Sequence, residues 1–307
     1  MGEKIAYYLF VYPLSHLPLW CLYRLSDFFY ILLITVFPYR KKVITGNLTR
    51  SFPELTPKEI NRLKRKFYRH FSDLVIEGIK NLSISENELK SRLVVRNPQL
   101  MEELYHQKKN VLLISGHYGN WEWLIKIQDK LFPHQAYGLG MPMTSKFWDK
   151  KVNSQRQSLG MRVIHAKNYK EELSKDPQLL KALLLLSDQS PGDSLKSYWT
   201  TFLHQSTAVL FGAELMTYQL HYTPVFFKMR KIKRGYYEME LIQYGGNPEV
   251  KNYGNITEWH TRQLESLIQE NPEFWLWSHK RWKREVPEKL DELKEEQHAQ
   301  FDRRFNN

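Results

Sequence analysis

Cysteine is nearly absent. Cys21 is the only one in 307 residues, which excludes an internal disulfide framework and any CxxC metal knuckle. A reducing compartment fits that usage, and Cys21, set in an apolar stretch, reads as a small buried or lipid-facing hydrophobe. Long charge-free apolar runs are missing too. The most apolar stretch, IAYYLFVYPLSHLPLWCLYRLSDFFYILLITVF at 5–37, is broken by Pro13, His16, Pro18, Arg24 and Asp27. No window in it offers the roughly 18 uninterrupted apolar residues of a spanning helix. It also lacks the layout of a signal peptide, with Lys4 as its n-region charge and no small-residue cleavage site after the apolar part. Acidic residues are in deficit: 33 against 45 Lys and Arg leave a net charge of +12. Such a field attracts nucleic acid, acidic lipid headgroups or an acidic carrier protein, and charge alone does not choose among them. No internal repeat or low-complexity linker appears. With 42% hydrophobic residues, disorder is excluded for most of the chain, and the length suits one globular unit.

What the first stretch does contain is tyrosine and tryptophan, which suit a membrane interface. YRKK at 39–42 follows and would be drawn to anionic headgroups on the cytoplasmic side. Residues 1–38 are read as a helical membrane anchor, re-entrant or lying in the interface; a pair of ordinary core helices is the alternative. Next, TPKEINRLKRKFYRHFSDLVIEGIK at 56–80 has Thr56 as N-cap, Pro57 at the first helical position and Glu59 in the first turn. Ile60, Leu63, Phe67, Phe71, Leu74 and Val75 define its buried face. Arg62, Arg65, Lys66 and Arg69 lie elsewhere, on a face that is solvated or turned toward acidic headgroups or an acidic partner.

VLLIS at 111–115 is a short continuous apolar run, as expected of a strand buried on both faces. GHYGNWEWLIKIQDKLF then changes to helical periodicity, with Trp121, Leu124 and Ile125 spaced for burial. Sites in open α/β sheets gather beyond the carboxyl ends of such strands, which draws attention to His117. A neutral imidazole can take a proton from a hydroxyl if its other nitrogen donates to an acceptor that fixes tautomer and orientation. Glu122 is the acceptor nearest in sequence, and a turn over Gly116–Asn120, eased by Gly119, would fold the histidine back over the first helical turn. Taken alone, a His–Glu pair is as readily a structural hydrogen bond. HExxH is absent and no third metal ligand is at hand, so no metal is expected; GxSxG is absent as well, and Ser115 reads as the last strand residue.

SGHYGNWEW at 115–123 resembles the HxxxxD/E motif of glycerolipid-type acyltransferases, and its surroundings resemble the late acyltransferases of lipid A assembly, the lauroyl and myristoyl transferases. YRKKVITGNLTRSFPELTPKE at 39–59, MTSKFWDKKVNSQRQSLGMRVI at 143–164, LLLLSDQSPGD at 183–193 and NPEFWLWSHKRWK at 271–283 look like four further blocks of that branch, in order. The resemblance covers about residues 5–286. Two departures stand out: TTFLHQSTAV at 200–209 replaces the paired phenylalanines and glycine of many relatives, and Glu122 stands where aspartate is usual. The phosphate block of glycerol-phosphate acyltransferases is not evident.

The resemblance implies transfer of a fatty acyl chain from acyl carrier protein, or coenzyme A, to a hydroxyl of a membrane lipid, with no cofactor. His117 would be the general base and Glu122 its orienter. Arg156 would bind phosphate or steady the oxyanion. Asp188 and Gln189, following an apolar run, would support the site from another strand end; Tyr118, Gly119 and Asn120 in the turn, and His279, Arg281 and Lys283 in the last block, would complete the substrate contacts. The expected fold is α/β, a central mixed, largely parallel sheet flanked by helices in residues 39–286, after the 1–38 anchor and before a charged tail, 287–307, read as a solvated helix ending in disorder. Residues 222–230 and 235–243 read as strands joined by a basic turn, and 257–270 as a helix capped by Thr257. A lipid A precursor is the expected acceptor and the cytoplasmic side of the inner membrane the expected place, with a lysophospholipid or aminolipid as the alternative acceptor. A basic nucleic-acid-binding protein and a non-catalytic membrane scaffold are the readings from other classes, though no nucleic-acid module appears.

Overall fold

The computed structural model describes residues 2–247 and 250–306. Its strands are β1 (Leu93–Val95), β2 (Val111–Ser115), β3 (Gln135–Gly140), β4 (Arg162–His165), β5 (Lys181–Leu186), β6 (Tyr198–Phe202), β7 (Gln205–Val209), β8 (Thr223–Lys233) and β9 (Tyr236–Gln243). Among the described residues, seven of them form one sheet in the order β1-β9-β8-β2-β5-β3-β4, and β6 and β7 form a separate hairpin. The five strands β8, β2, β5, β3 and β4 are mutually parallel. β9 returns antiparallel to β8 through a basic turn, and β1 pairs parallel to β9 at the edge.

The two-residue period of a strand explains the layering. Val111 and Leu113 of β2 enter one apolar cluster with Trp123, Leu124 and Ile127 of the helix Trp121–Leu131. Leu112 and Ile114 enter another, with Ala213 and Met216 of the helix Gly212–Leu220. Ala182 and Leu184 of β5 side with the first cluster, Leu183 and Leu185 with the second. Because both faces are covered, all five residues of β2 are buried and none can be polar until the strand ends.

The helix Pro57–Lys80 begins as its sequence requires: Thr56 and Glu59 form a capping box, with Pro57 at the first helical position. Ile60, Leu63 and Phe67 are buried, whereas Phe71 and Leu74 are half-buried and Val75 is exposed.

The amino-terminal segment consists of short helical turns over residues 2–15 and the helix Leu19–Thr35. One side belongs to the core, since Leu19 and Leu22 join the first cluster and Ser26 Oγ donates to Asp73 at 2.8 Å. The other side leaves Trp20 70%, Phe28 61% and Phe37 68% exposed. Among the described residues, no helix is long and apolar enough to cross a membrane.

Two local expectations are corrected. Thr257 does not cap its helix: Asn255–Glu270 starts after Gly254, and the Thr257 hydroxyl instead donates to buried Glu214 at 2.8 Å. Nor do the described residues of the tail end in disorder, although most of its helix is exposed as expected. The helix Leu290–Phe305 docks through Phe301, which is 4% exposed against Tyr218, Phe211 and Tyr253; the two aromatic residues in an otherwise charged sequence suffice to seat it.

Candidate active site

Parallel pairing of β2 with β5 places Ser115 opposite Leu186, so the chain leaving β2 runs beside the chain leaving β5. His117 therefore meets Asp188 across 71 residues of sequence. Its backbone N–H donates to Asp188 Oδ2 at 2.8 Å, and its ring Nδ1 lies 2.6 Å from Oδ1. Trp275 Nε1 donates to Oδ2 as well, at 2.8 Å. Gly116 permits this approach: a Cβ there would fall 2.9 Å from Asp188 Oδ2 and 2.7 Å from a Leu264 methyl.

Asp188 is buried, and burial by itself raises its pKa; the charge of His117 and the hydrogen bonds from His117 and Trp275 outweigh that and hold it down to about 2. A carboxylate only accepts, so Nδ1 of His117 carries the proton of that bond and a neutral ring keeps its lone pair on Nε2. The amide nitrogen of Gln189 lies 3.3 Å from that Nε2. The Trp121 ring packs edge-on to the imidazole, centroids 4.9 Å apart, and the His117 carbonyl accepts from Leu276 N–H at 3.1 Å. Three separate segments thus fix one ring.

Glu122 is not the partner of His117. Its carboxylate takes Arg156 instead, with Nε donating to Oε2 at 3.0 Å and Nη2 to Oε1. The reason is the helix: Glu122 sits in the first turn of Trp121–Leu131, pointing at the helix Lys146–Arg156, while the turn before it carries His117 toward β5. Hydrogen bonding to Glu122 raises the Arg156 pKa against the opposing cost of burial, and Arg156 Nη1 has no hydrogen bond among the described residues.

Both pairs open on one cavity of about 580 Å³ at the carboxyl edge of the sheet, where ligands of open α/β sheets bind. Its walls include Ile125, Leu139, Val163, Leu185, Leu210 and Met216, and its polar groups are His117, Glu122, Arg156, Gln189, Ser187 and Ser190. A deep apolar slot with a few convergent polar groups suits a lipid chain whose reactive end stays at the mouth.

The other expected substrate contacts divide. Tyr118 is 1% exposed, with its hydroxyl on Asn271 O at 2.9 Å. Gly119, at φ +64°, turns the chain where a Cβ would press on Met229 at 3.0 Å. Asn120 caps the following helix, accepting from Trp123 N–H at 3.1 Å and donating to Glu77 at 2.6 Å. These three shape the turn and do not line the cavity. Arg281 is corrected too: it is 2% exposed, donates to Thr207 Oγ1 at 2.8 Å, and burial lowers its pKa to about 10. His279 accepts from Ser190 N–H at 3.1 Å, and burial lowers its pKa to about 4, so the ring is neutral and braces the 188–190 loop. Lys283 is exposed on the surface.

Two supporting groups went unnoticed in the sequence. Trp275, within the last block, is read as packing until its N–H is seen on Asp188. Glu77, on the helix Pro57–Lys80, is buried and receives Asn120, Tyr23 and Tyr237; nothing in a charged helix distinguishes it from its solvated neighbours.

No curated protein matches the chain. The model of the bacterial lipid A biosynthesis acyltransferases matches residues 4–284, nearly the whole chain. With an apolar cavity ending at a fixed imidazole, the chain belongs to that family and is an acyltransferase of lipid A biosynthesis.

Proposed function

We propose that the protein moves a fatty acyl chain from the thioester of acyl carrier protein, or of coenzyme A, to a hydroxyl of a lipid A precursor at the cytoplasmic face of the inner membrane. His117 is the base and Asp188, not Glu122, its orienter. The hydroxyl oxygen attacks the thioester carbonyl as Nε2 of His117 takes its proton, which forms a tetrahedral oxyanion. Collapse breaks the C–S bond, and the sulfur leaves with the proton from the imidazolium, giving an ester and a thiol. Positioned acid/base catalysis of this kind contributes about 10²–10⁴ in rate. Arg156, held by Glu122 with Nη1 left over, supplies positive charge for the oxyanion or for acceptor phosphate. Transfer is direct, since among the described residues no serine or cysteine side chain is hydrogen-bonded to His117 and no nucleophile motif accompanies the pair. The amino-terminal segment lies in the membrane interface on its exposed aromatic side.

The observation that carries this reading is the 2.6 Å contact of His117 with buried Asp188 at the mouth of an apolar cavity. Its test is mass spectrometry of lipid A precursor incubated with the purified protein and acyl carrier protein thioester. The expected product is heavier by one acyl chain and is missing with His117→Ala. Product formed only on a lysophospholipid or aminolipid would overturn the acceptor, and undiminished transfer by His117→Ala would overturn the base.

A further inference from the structure

A second opening lies at the end of β8. It is an open cleft of about 580 Å³ between the helix Pro57–Lys80, the β8–β9 turn and Tyr30. We propose that this cleft is a binding site for the phosphate headgroup of an anionic lipid in the bilayer surface, separate from the acyl cavity. The proposal deepens the membrane-interface reading above and rests on it.

Its charge is the first argument. Arg62, Arg65, Lys66 and Arg69 recur at the spacing of one helix face and all line the cleft. Like charges stacked at that spacing repel one another and weaken a helix unless an anion is brought to them. The β8–β9 turn adds Lys231, Lys233 and Arg234 from the opposite wall. Against these seven cations stand three carboxylates: Glu273 pairs with Lys66 at 3.2 Å, Asp27 with Arg69 at 2.8 Å, and Asp73 with Lys231 at 2.9 Å. Arg234 shares Asp27 and Asp73 with the others. Arg62, Arg65 and Lys233 have no ion pair among the described residues, so the cleft keeps four positive charges uncompensated.

Its rim is the second. Ile232, between the two lysines of the turn, is 60% exposed at the lip of the cleft. On the other side Tyr30 belongs to the helix that leaves Phe28 61% and Ile31 52% exposed. Apolar lips over a cationic floor match the boundary of a bilayer, with acyl chains around the rim and phosphate at its base. A folded acidic protein docked over this cleft would have to bury the exposed apolar lips against its own charged surface. The cleft also lies at the carboxyl end of β8, which runs parallel to β2, whose carboxyl end carries the acyl cavity.

The test uses Arg62→Gln/Arg65→Gln, which removes two cations that have no ion pair, together with sedimentation on vesicles. Each basic residue near an anionic surface is worth about a fivefold gain in partitioning, so the double variant should partition about 25-fold more weakly into phosphatidylcholine vesicles containing phosphatidylglycerol. On phosphatidylcholine alone the two proteins should behave alike, and an unchanged melting temperature shows that the variant folds. Equal partitioning into the anionic vesicles would overturn the proposal. So would retained vesicle binding with loss of capture by immobilised acyl carrier protein, which would assign the cleft to an acidic protein; inorganic phosphate should displace the protein from anionic vesicles more than chloride of equal ionic strength does, and equal displacement by the two would overturn recognition of the phosphate. His117→Ala should partition like the natural chain, so failure of the acyl-transfer reading and failure of the lipid site are read separately.

Discussion

Glu122 and Asp188 are both acids within reach of one turn, and the fold treats them in opposite ways. Asp188 is buried, accepts three N–H donors and has its pKa held down to about 2. Glu122 keeps 27% of its side chain exposed and answers a guanidinium, not the imidazole five residues before it. Proximity along the chain is a poor guide where a strand ends. The segment leaving β2 is aimed by the sheet, and its neighbour is whatever leaves the adjacent parallel strand. A buried acceptor fixed by three N–H donors holds a ring in one tautomer, whereas a half-exposed carboxylate paired with arginine sets charge at the cavity mouth.

The largest effect should come from His117→Ala, which removes the base: acyl transfer falls by about 10²–10⁴ while circular dichroism and membrane association stay unchanged. Asp188→Asn should come next, within an order of magnitude of it, because an amide can donate to Nδ1 and so favour the wrong tautomer. Loss confined to the Michaelis constant would instead equate Asp188 with a mere wall residue. Glu122→Gln should cost less, about tenfold in turnover, the worth of one charge-assisted hydrogen bond, and Arg156→Lys should resemble it because the fork geometry is lost in both. A Glu122→Gln defect as deep as that of His117→Ala would erase the contrast between the acids.

Two stability measurements sharpen the same contrast. Gly119→Ala should lower stability by about 1–2 kcal/mol, since its φ is positive and Met229 blocks the new methyl; thermal unfolding checks it. The acid limb of the stability curve is the other. The Asp188 pKa is depressed from 3.8 to about 2, so its stabilisation is complete above pH 3.8 and is lost as pH falls through about 2. Asp188→Asn should flatten that part of the unfolding curve in a pH titration; an unaltered limb would mean the carboxylate is not held as described.

Much of this was legible beforehand. The apolar run of β2, the change to helical period after Gly116, the N-cap at Thr56 with Glu59 in the first turn, and the hairpin around the basic turn are local signals, and each formed its element. Asp188 and Gln189 were rightly located at a strand end, after KALLLL. The pairing of His117 with Asp188 was not legible, because it depends on which strand lies beside β2, and strand order leaves no mark in the residues between. Arg281 misled for a related reason: interleaved tryptophan and basic residues look like a surface for acidic groups, yet Phe202 and Thr207 from the β6–β7 hairpin close over the guanidinium. Trp275 reads as bulk until its indole N–H finds a buried carboxylate. Phe301 and Phe305 show the reverse, two aromatic residues that outweigh a charged composition and dock the tail.

Nitrogen NMR of the His117 ring, with Asp188→Asn as reference, interrogates the pair directly. The neutral ring should carry its proton on Nδ1 and leave Nε2 bare, and the substitution should shift the proton toward Nε2. A natural protein whose neutral His117 is protonated on Nε2, with Asp188→Asn leaving that unchanged, would contradict Asp188 as orienter and His117 as base.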